Sequence, residues 1–361
     1  MNDRQQIDTA GLAALLFGFL VGSSLVLPMG IQAKQDSWLA LLLGGGASLA
    51  VVWLYTALAR LFPEQSLVAY SRILLGEWLG RLVGLLYLWY GLHLGALVLR
   101  NFGEFLTTSL LPSTPISVCI VTLMLLCAYG VRMGLEPLAR ASQVMVMLLV
   151  VQVAFSTILV AKDVHLENLR PMLEQGPVPV LQAAFGLLSF PFGETVLFAL
   201  LLPWVRPVGG VKRTVMLTVG AAAIFLAAVH ARNVAVLNAH LAGTSRFPSL
   251  VVVQFIDVAD FLNRLDALIV GNWIVAGFMK VSICLLGTAT GLAEWLGGLD
   301  YRPLVLPLGA IMAALSILVY DNASAMSAFA AVIWPVYSVP FQILMPLLLL
   351  GLAKVCGKPA K

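Results

Sequence analysis

Val178–Pro203 reads VPVLQAAFGLLSFPFGETVLFALLLP, and its middle is Ser189-Phe190-Pro191-Phe192-Gly193-Glu194. A bilayer crossing takes about 20 mostly apolar residues, so the stretch is long enough to span. Its centre, however, is built from residues that a membrane helix avoids. Thr9–Ala33, TAGLAALLFGFLVGSSLVLPMGIQA, has the same character, with Gly22-Ser23-Ser24 at its centre. Glycine, proline and serine there release backbone donors and acceptors that lipid cannot satisfy. Such breaks persist only against protein or a water-filled cavity. Interrupted segments at corresponding places in two halves of a membrane protein point to a solute site near the bilayer midplane. The pair marks this chain as a candidate small-solute-binding membrane protein.

Composition agrees. The 361 residues are 61% hydrophobic and 11% charged, against about 25% charged in soluble domains. The chain is therefore an all-α polytopic membrane protein whose partner is the lipid bilayer. The net charge of +4 does not indicate nucleic acid, because the basic residues lie in short loops between apolar spans. Met1–Ala10 carries Arg4 and leads into some two dozen mostly apolar residues. A signal-peptide core is about 7–15 residues long, so the expectation is a retained first span. Cys119, Cys127, Cys284 and Cys356 form no CxxC and no Cys/His cluster, so neither disulfide, metal nor other cofactor is implied. With no P-loop, HExxH or GxSxG, the sequence gives no enzyme reading.

Ten spans are expected: 9–33, 37–61, 79–103, 115–133, 137–161, 178–203, 211–236, 265–289, 302–320 and 326–353. The stretch 239–264 holds Asp257, Asp260 and Arg264 and is too polar to span; an interfacial or gate-like helix fits it. Counting Lys and Arg by alternating sides places Arg4, Arg60, Arg72, Arg81, Arg132, Arg140, Arg206, Lys212, Arg213, Arg302, Lys354, Lys358 and Lys361 together. The opposite side receives Lys34, Arg100, Lys162, Arg170, Arg232, Arg246 and Arg264. The positive-inside rule then puts both termini in the cytoplasm. Breaks in spans one and six divide the single transmembrane domain, residues 1–361, into halves of about 9–161 and 178–353. Five spans per half make the second half cross in the opposite sense, which is a leucine-transporter-like 5+5 inverted repeat.

The ligand-binding candidates follow from the breaks. Gly22, Ser23 and Ser24 offer backbone groups and two hydroxyls, and half-helix ends add their dipoles, positive at the amide end and negative at the carbonyl end. Small residues there also suit a close helix crossing. Phe190, Phe192, Gly193 and Glu194 supply the second break. A charge at the bilayer centre costs at least about 2.5–3.5 kcal/mol, so Glu194 is expected to face the interior and be paired or protonated. Lys280, deep in the eighth span, is the other strong intramembrane charge, and Glu194 and Lys280 are the coupling candidates. In the third span Gly84, Gly91 and Gly95 share a stripe, expected to be a packing face, with Tyr87 beside it as a cavity candidate favoured over Tyr90. His93 faces away and reads as structural. Asn272, next to Trp273 at the start of the eighth span, completes the set.

Several short motifs carry a family resemblance. Leu27-Pro28, Asp36-Ser37-Trp38, Phe62-Pro63 and Leu111-Pro112-Ser113-Thr114-Pro115 occur in order. Gly134-Leu135-Glu136 with Ala139-Arg140, Phe190-Pro191-Phe192-Gly193-Glu194, and Arg264–Ala267 with Trp273 follow. In sequence and spacing these resemble the spore germination permeases, the B subunits of spore germinant receptors, a branch of the amino acid–polyamine–organocation superfamily. Asp266 departs from the pattern, where glutamate is expected; the charge is kept. The resemblance implies a receptor in the inner membrane of the bacterial spore that binds a small-molecule germinant, commonly an amino acid. It also implies A and lipoprotein C subunits as partners. The expected function is thus a transporter-like sensing subunit. A cation- or proton-coupled amino-acid symporter and a component of an ion-conducting assembly are the alternatives.

Overall fold

The computed structural model describes residues 6–25, 27–255 and 265–355. Asp257, Asp260 and Arg264, and the side chains of Asp266 and Asn272, lie outside the described residues. The molecule is a bundle of long apolar helices. α1 is Thr9–Val21, α2 Ser37–Leu61, α3 Leu67–Ser109, α4 Ile116–Met133, α5 Leu135–Leu159, α6 Pro177–Leu187 and α7 Val208–Thr244. α8 is the short Pro248–Gln254, followed by α9 Leu265–Trp295 and α10 Arg302–Leu318. α11 (Ala323–Ala328), α12 (Trp334–Val339) and α13 (Met345–Val355) join through π turns at Phe329–Ile333 and Pro340–Leu344. Among the described residues, eight helical runs have the length and composition to cross a membrane. Thr9–Leu25 and Arg302–Leu318 are shorter apolar helices.

Local chemistry sets where these helices begin. The Asp8 carboxylate accepts from the Gly11 amide at 2.7 Å and caps α1. The Ser66 hydroxyl accepts from the Val68 and Ala69 amides and caps α3. Pro177 occupies the first turn of α6, where its missing N–H costs nothing. Exposed Leu125, Leu126, Val151, Phe155 and Ile158 face outward from α4 and α5, as a lipid-facing surface requires.

Both interruptions are real. α1 ends at Gly22 (φ −36°, ψ −90°), and the chain continues as a single 3₁₀ turn, Ser23–Leu25. After α6, Leu188–Phe192 forms a π turn in which Phe190 is extended (φ −134°, ψ 117°). Pro191 explains it, because proline removes one donor and disfavours helical geometry in the residue before it. A buried 3₁₀ segment, Gly193–Leu200, follows. α1 packs against α5, α7 and α9, while α2 lies against α6 and α7 and α3 against α9. The broken segments are thereby enclosed by the longest helices.

The start of the chain is tied to the end of the second broken segment. The Ile7 amide donates to the Trp204 carbonyl at 3.0 Å, and the Arg206 amide donates to the Ile7 carbonyl at 2.9 Å. These two bonds form an isolated parallel bridge between Ile7 and Val205.

One sequence expectation needs correction. Basic residues are expected in the loops between spans, but Arg100 and Arg232 are buried side chains within helices. α3 continues to Ser109, whereas α7 turns at Asn238, whose backbone is non-helical (φ 64°, ψ 167°), close to the expected end of the seventh span. Arg100 pairs with Glu104 at 3.0 Å and donates to the Ile317 carbonyl. In the stretch 239–264, a helical run to Thr244 follows that turn and Pro248–Gln254 forms a short helix.

Candidate functional site

The centre of the bundle holds an ion pair. Lys280, on α9, places Nζ 2.6 Å from Glu194 Oε2, and the two side chains are 0% and 1% exposed. The ammonium also donates to Ser23 Oγ at 3.0 Å. It lies 4.9 Å from the Phe19 ring centre and 4.7 Å from that of Phe190, within reach of a cation–π attraction. One lysine thus touches the last turn of α1 at Phe19, the first break at Ser23, and both sides of the second at Phe190 and Glu194. Taking two charges out of water is costly unless they are paired; here each is the other's counter-charge, and the ammonium has the Ser23 hydroxyl besides.

Gly22 is a crossing point. A Cβ there would meet the Ala276 carbonyl at 2.9 Å and Lys280 Cβ at 3.2 Å. The absence of a side chain lets α9 approach α1 closely enough for Lys280 to reach Ser23. The neighbouring Ser24 turns back, its hydroxyl donating to the Leu20 carbonyl at 2.8 Å.

A second polar group supports the other break. Gln342 Nε2 donates to the Tyr90 hydroxyl at 2.8 Å and to the Ser189 carbonyl at 2.9 Å. The Tyr55 hydroxyl lies 2.6 Å from the Gln342 carbonyl and 3.3 Å from that of Gly193. Gln342 Oε1 is buried without a partner among the described residues, and a Cβ on Gly193 would overlap this amide. Glycine at 193 is therefore required by the glutamine beside it. The Ser189 hydroxyl donates to the Pro335 carbonyl at 3.3 Å.

The geometry sorts the sequence candidates. Ser23, Phe190, Glu194 and Lys280 converge on one point, and Gly22 makes the approach possible. Gly193 adjoins it and faces Gln342. Phe192 is buried and turns toward Gly45 of α2. Tyr87 is buried with its hydroxyl on the Phe341 carbonyl at 2.7 Å; Tyr90, one turn on, is the tyrosine that reaches the break. Gly91 and Gly95 pack against Thr288 and Met312. His93 stacks on Trp89 and lies 3.2 Å from the Tyr337 hydroxyl. Asn272 falls outside the described side chains. Sequence reading missed Tyr55 and Gln342. The available signal was a lone amide in an apolar span beside Pro340.

An adjacent ammonium and carboxylate can bind a zwitterion of opposite layout, with the solute's carboxylate on Lys280 and its ammonium on Glu194. The pair occupies that space itself, so the solute would have to part it.

Comparison with known proteins shows the family and the fold. The family model described as spore germination protein matches residues 6–324. Spore germination protein KB of Bacillus subtilis (strain 168) is 34% identical over 351 residues, covering 96% of this chain and 94% of its own length. Spore germination protein YndE of the same organism is 25% identical over 295 residues, covering 80% and 81%. Among solved structures, MhsT in complex with L-phenylalanine superposes with a TM-score of 0.66 at 15% identity, covering 94% of this chain and 87% of that one. The nucleobase-cation-symport-1 family transporter Mhp1 gives 0.64 at 14% identity, covering 91% and 77%. These likenesses are of fold, that of the leucine-transporter-like transporters. With matches along nearly its whole length, the chain belongs to the spore germination protein family of permease-like membrane proteins.

Proposed function

We propose that this protein is the germinant-sensing B subunit of a spore germinant receptor, and that a small amino acid docks at the Lys280–Glu194 pair between the two breaks. The observation that carries the reading is that pair, buried, with Ser23 and Phe190 around it. An amino acid presents both charges at the spacing of its own backbone and can replace one ion pair by two. A ligand shifts a conformational equilibrium only by its differential affinity for the two states. Here the unliganded state is the one in which lysine and glutamate satisfy each other. Binding separates them, repacks α9 against α1 and the Gly193–Leu200 segment, and exposes that change to A and C subunits. The spore inner membrane, with both termini on the cytoplasmic face, is the location that goes with this role.

The test is direct binding of an amino-acid panel to the purified chain, followed by uptake of the labelled binder into proteoliposomes containing this chain alone. Saturable binding without net flux is the expected result. Net uptake would assign the chain to coupled transport instead, the second reading. In that case Lys280 supplies a fixed charge in place of a bound cation.

A further inference from the structure

A second buried cation has no counter-charge among the described residues. Arg232 of α7 is 8% exposed. Its guanidinium donates to Asn233 Oδ1 from Nε at 3.3 Å and from Nη2 at 2.9 Å, and from Nη1 to Ser156 Oγ at 3.3 Å and Thr157 Oγ1 at 3.1 Å. All of these acceptors are neutral, and among the described residues no carboxylate forms an ion pair with it. Arginine carries five N–H donors and keeps its charge in proteins, so among the described residues one Nη2 hydrogen and the positive charge have no partner. A buried ion without a partner is costly, and the contrast with Arg100, which has Glu104, is direct.

This guanidinium lines a cavity of about 20 Å³, with Leu25, Gln152, Ser156, Ser249 and Trp273. The other polar groups there are poised to donate. Gln152 Nε2 is buried and has no acceptor among the described residues. The Ser249 hydroxyl oxygen already accepts from Asn233 Nδ2 at 2.9 Å, which leaves its hydrogen to point elsewhere. A cavity needs about 10–15 Å³ to admit a water-sized group, so this one has room for a single such group. Unmatched donors, a fixed positive charge and room for one atom-sized guest define the guest as an acceptor with negative charge.

We infer that the cavity between α5, α7, α8 and α9 binds a small monovalent anion, held by the Arg232 guanidinium and the Gln152 amide. The guest is either a halide or one oxygen of a solute carboxylate. Trp273 precedes Lys280 by seven residues on α9, about 10 Å along a helix axis, so this site is separate from the central ion pair. It abuts Leu25, the last residue of the 3₁₀ turn after the first break.

The experiment is thermal unfolding of the purified full chain in detergent. Sodium p-toluenesulfonate, whose anion is neither a halide nor a carboxylate, is replaced stepwise by chloride or by acetate at constant ionic strength. The expected result is a saturable rise in the wild-type midpoint with chloride, acetate or both, since a ligand bound only to the folded state raises it with concentration. Saturation by chloride alone identifies a halide, and saturation by acetate identifies a carboxylate. Arg232→Gln should abolish the rise. Gln152→Leu, at the cavity edge, should raise the half-saturating concentration about tenfold, the value of one hydrogen bond to a charged group. If Arg232→Gln does not fold, Gln152→Leu decides. A wild-type midpoint no higher in either anion than in p-toluenesulfonate overturns the site, as does an unchanged half-saturation in Gln152→Leu.

Discussion

Lys280 and Glu194 come from distant parts of the sequence and meet with 2.6 Å between ammonium and carboxylate, both sealed from solvent. The contact joins α9 to the second broken segment, while the same ammonium holds the first break through Ser23. Removing either charge leaves the other buried and unpaired, at a cost of about 3–5 kcal/mol. Glu194→Leu and Lys280→Met should each lower the abundance of membrane-inserted protein. The double variant should recover much of it while remaining unresponsive to ligand. A double variant no more abundant than the singles would show that the pair is not energetically coupled.

Glu194→Gln should be milder than Glu194→Leu, because the amide keeps hydrogen-bonding atoms near the ammonium. Thermal unfolding and ligand response, measured side by side, check this. Full tolerance of Leu in both readouts would remove Glu194 from structure and function together.

Gly22→Leu should abolish ligand response and reduce stability by about 1–3 kcal/mol, the usual cost of overpacking. Its side chain would drive into the Ala276 carbonyl and the stem of Lys280. Gly22→Ala should fall between. Wild-type binding in Gly22→Leu would show that the crossing of α1 and α9 is irrelevant to the ligand.

Gln342→Leu should destabilise more than Tyr90→Phe. The first change removes two donated hydrogen bonds and strips both the Ser189 carbonyl and the Tyr90 hydroxyl of a partner; the second removes one acceptor. Each bond contributes about 0.5–1.5 kcal/mol net. Equal unfolding midpoints would mean that Gln342 is not the support of the second break.

Ligand response should persist when sodium is replaced by choline, since Lys280 already places a positive charge beside the first break. A strict sodium requirement in the wild type would contradict that assignment.

The breaks were legible because proline, glycine and glutamate are conspicuous in an apolar run, and Glu194 could be expected to seek a partner. Its choice of Lys280 depends on how α9 crosses α1, which spacing along the chain does not encode. Gln342 and Tyr55 stayed hidden because an amide and a phenol are unremarkable in apolar spans until a backbone carbonyl is found opposite them. Arg100 and Arg232 stand near the ends of the third and seventh expected spans, where hydropathy cannot tell a solvated basic residue from one buried against neighbouring helices.

The bridge joining Ile7 to Trp204 and Arg206 is written entirely in main-chain atoms. Proline at 7 or at 206 would delete a donor. The side chains at the bridge add to it: Ile7 and Val205 are buried in the core, and the Arg206 guanidinium donates to the Val205 carbonyl at 3.0 Å and pairs with Glu64 at 2.6 Å. The residues before α1 are thereby fixed to the tail of the second broken segment by main chain and side chains together.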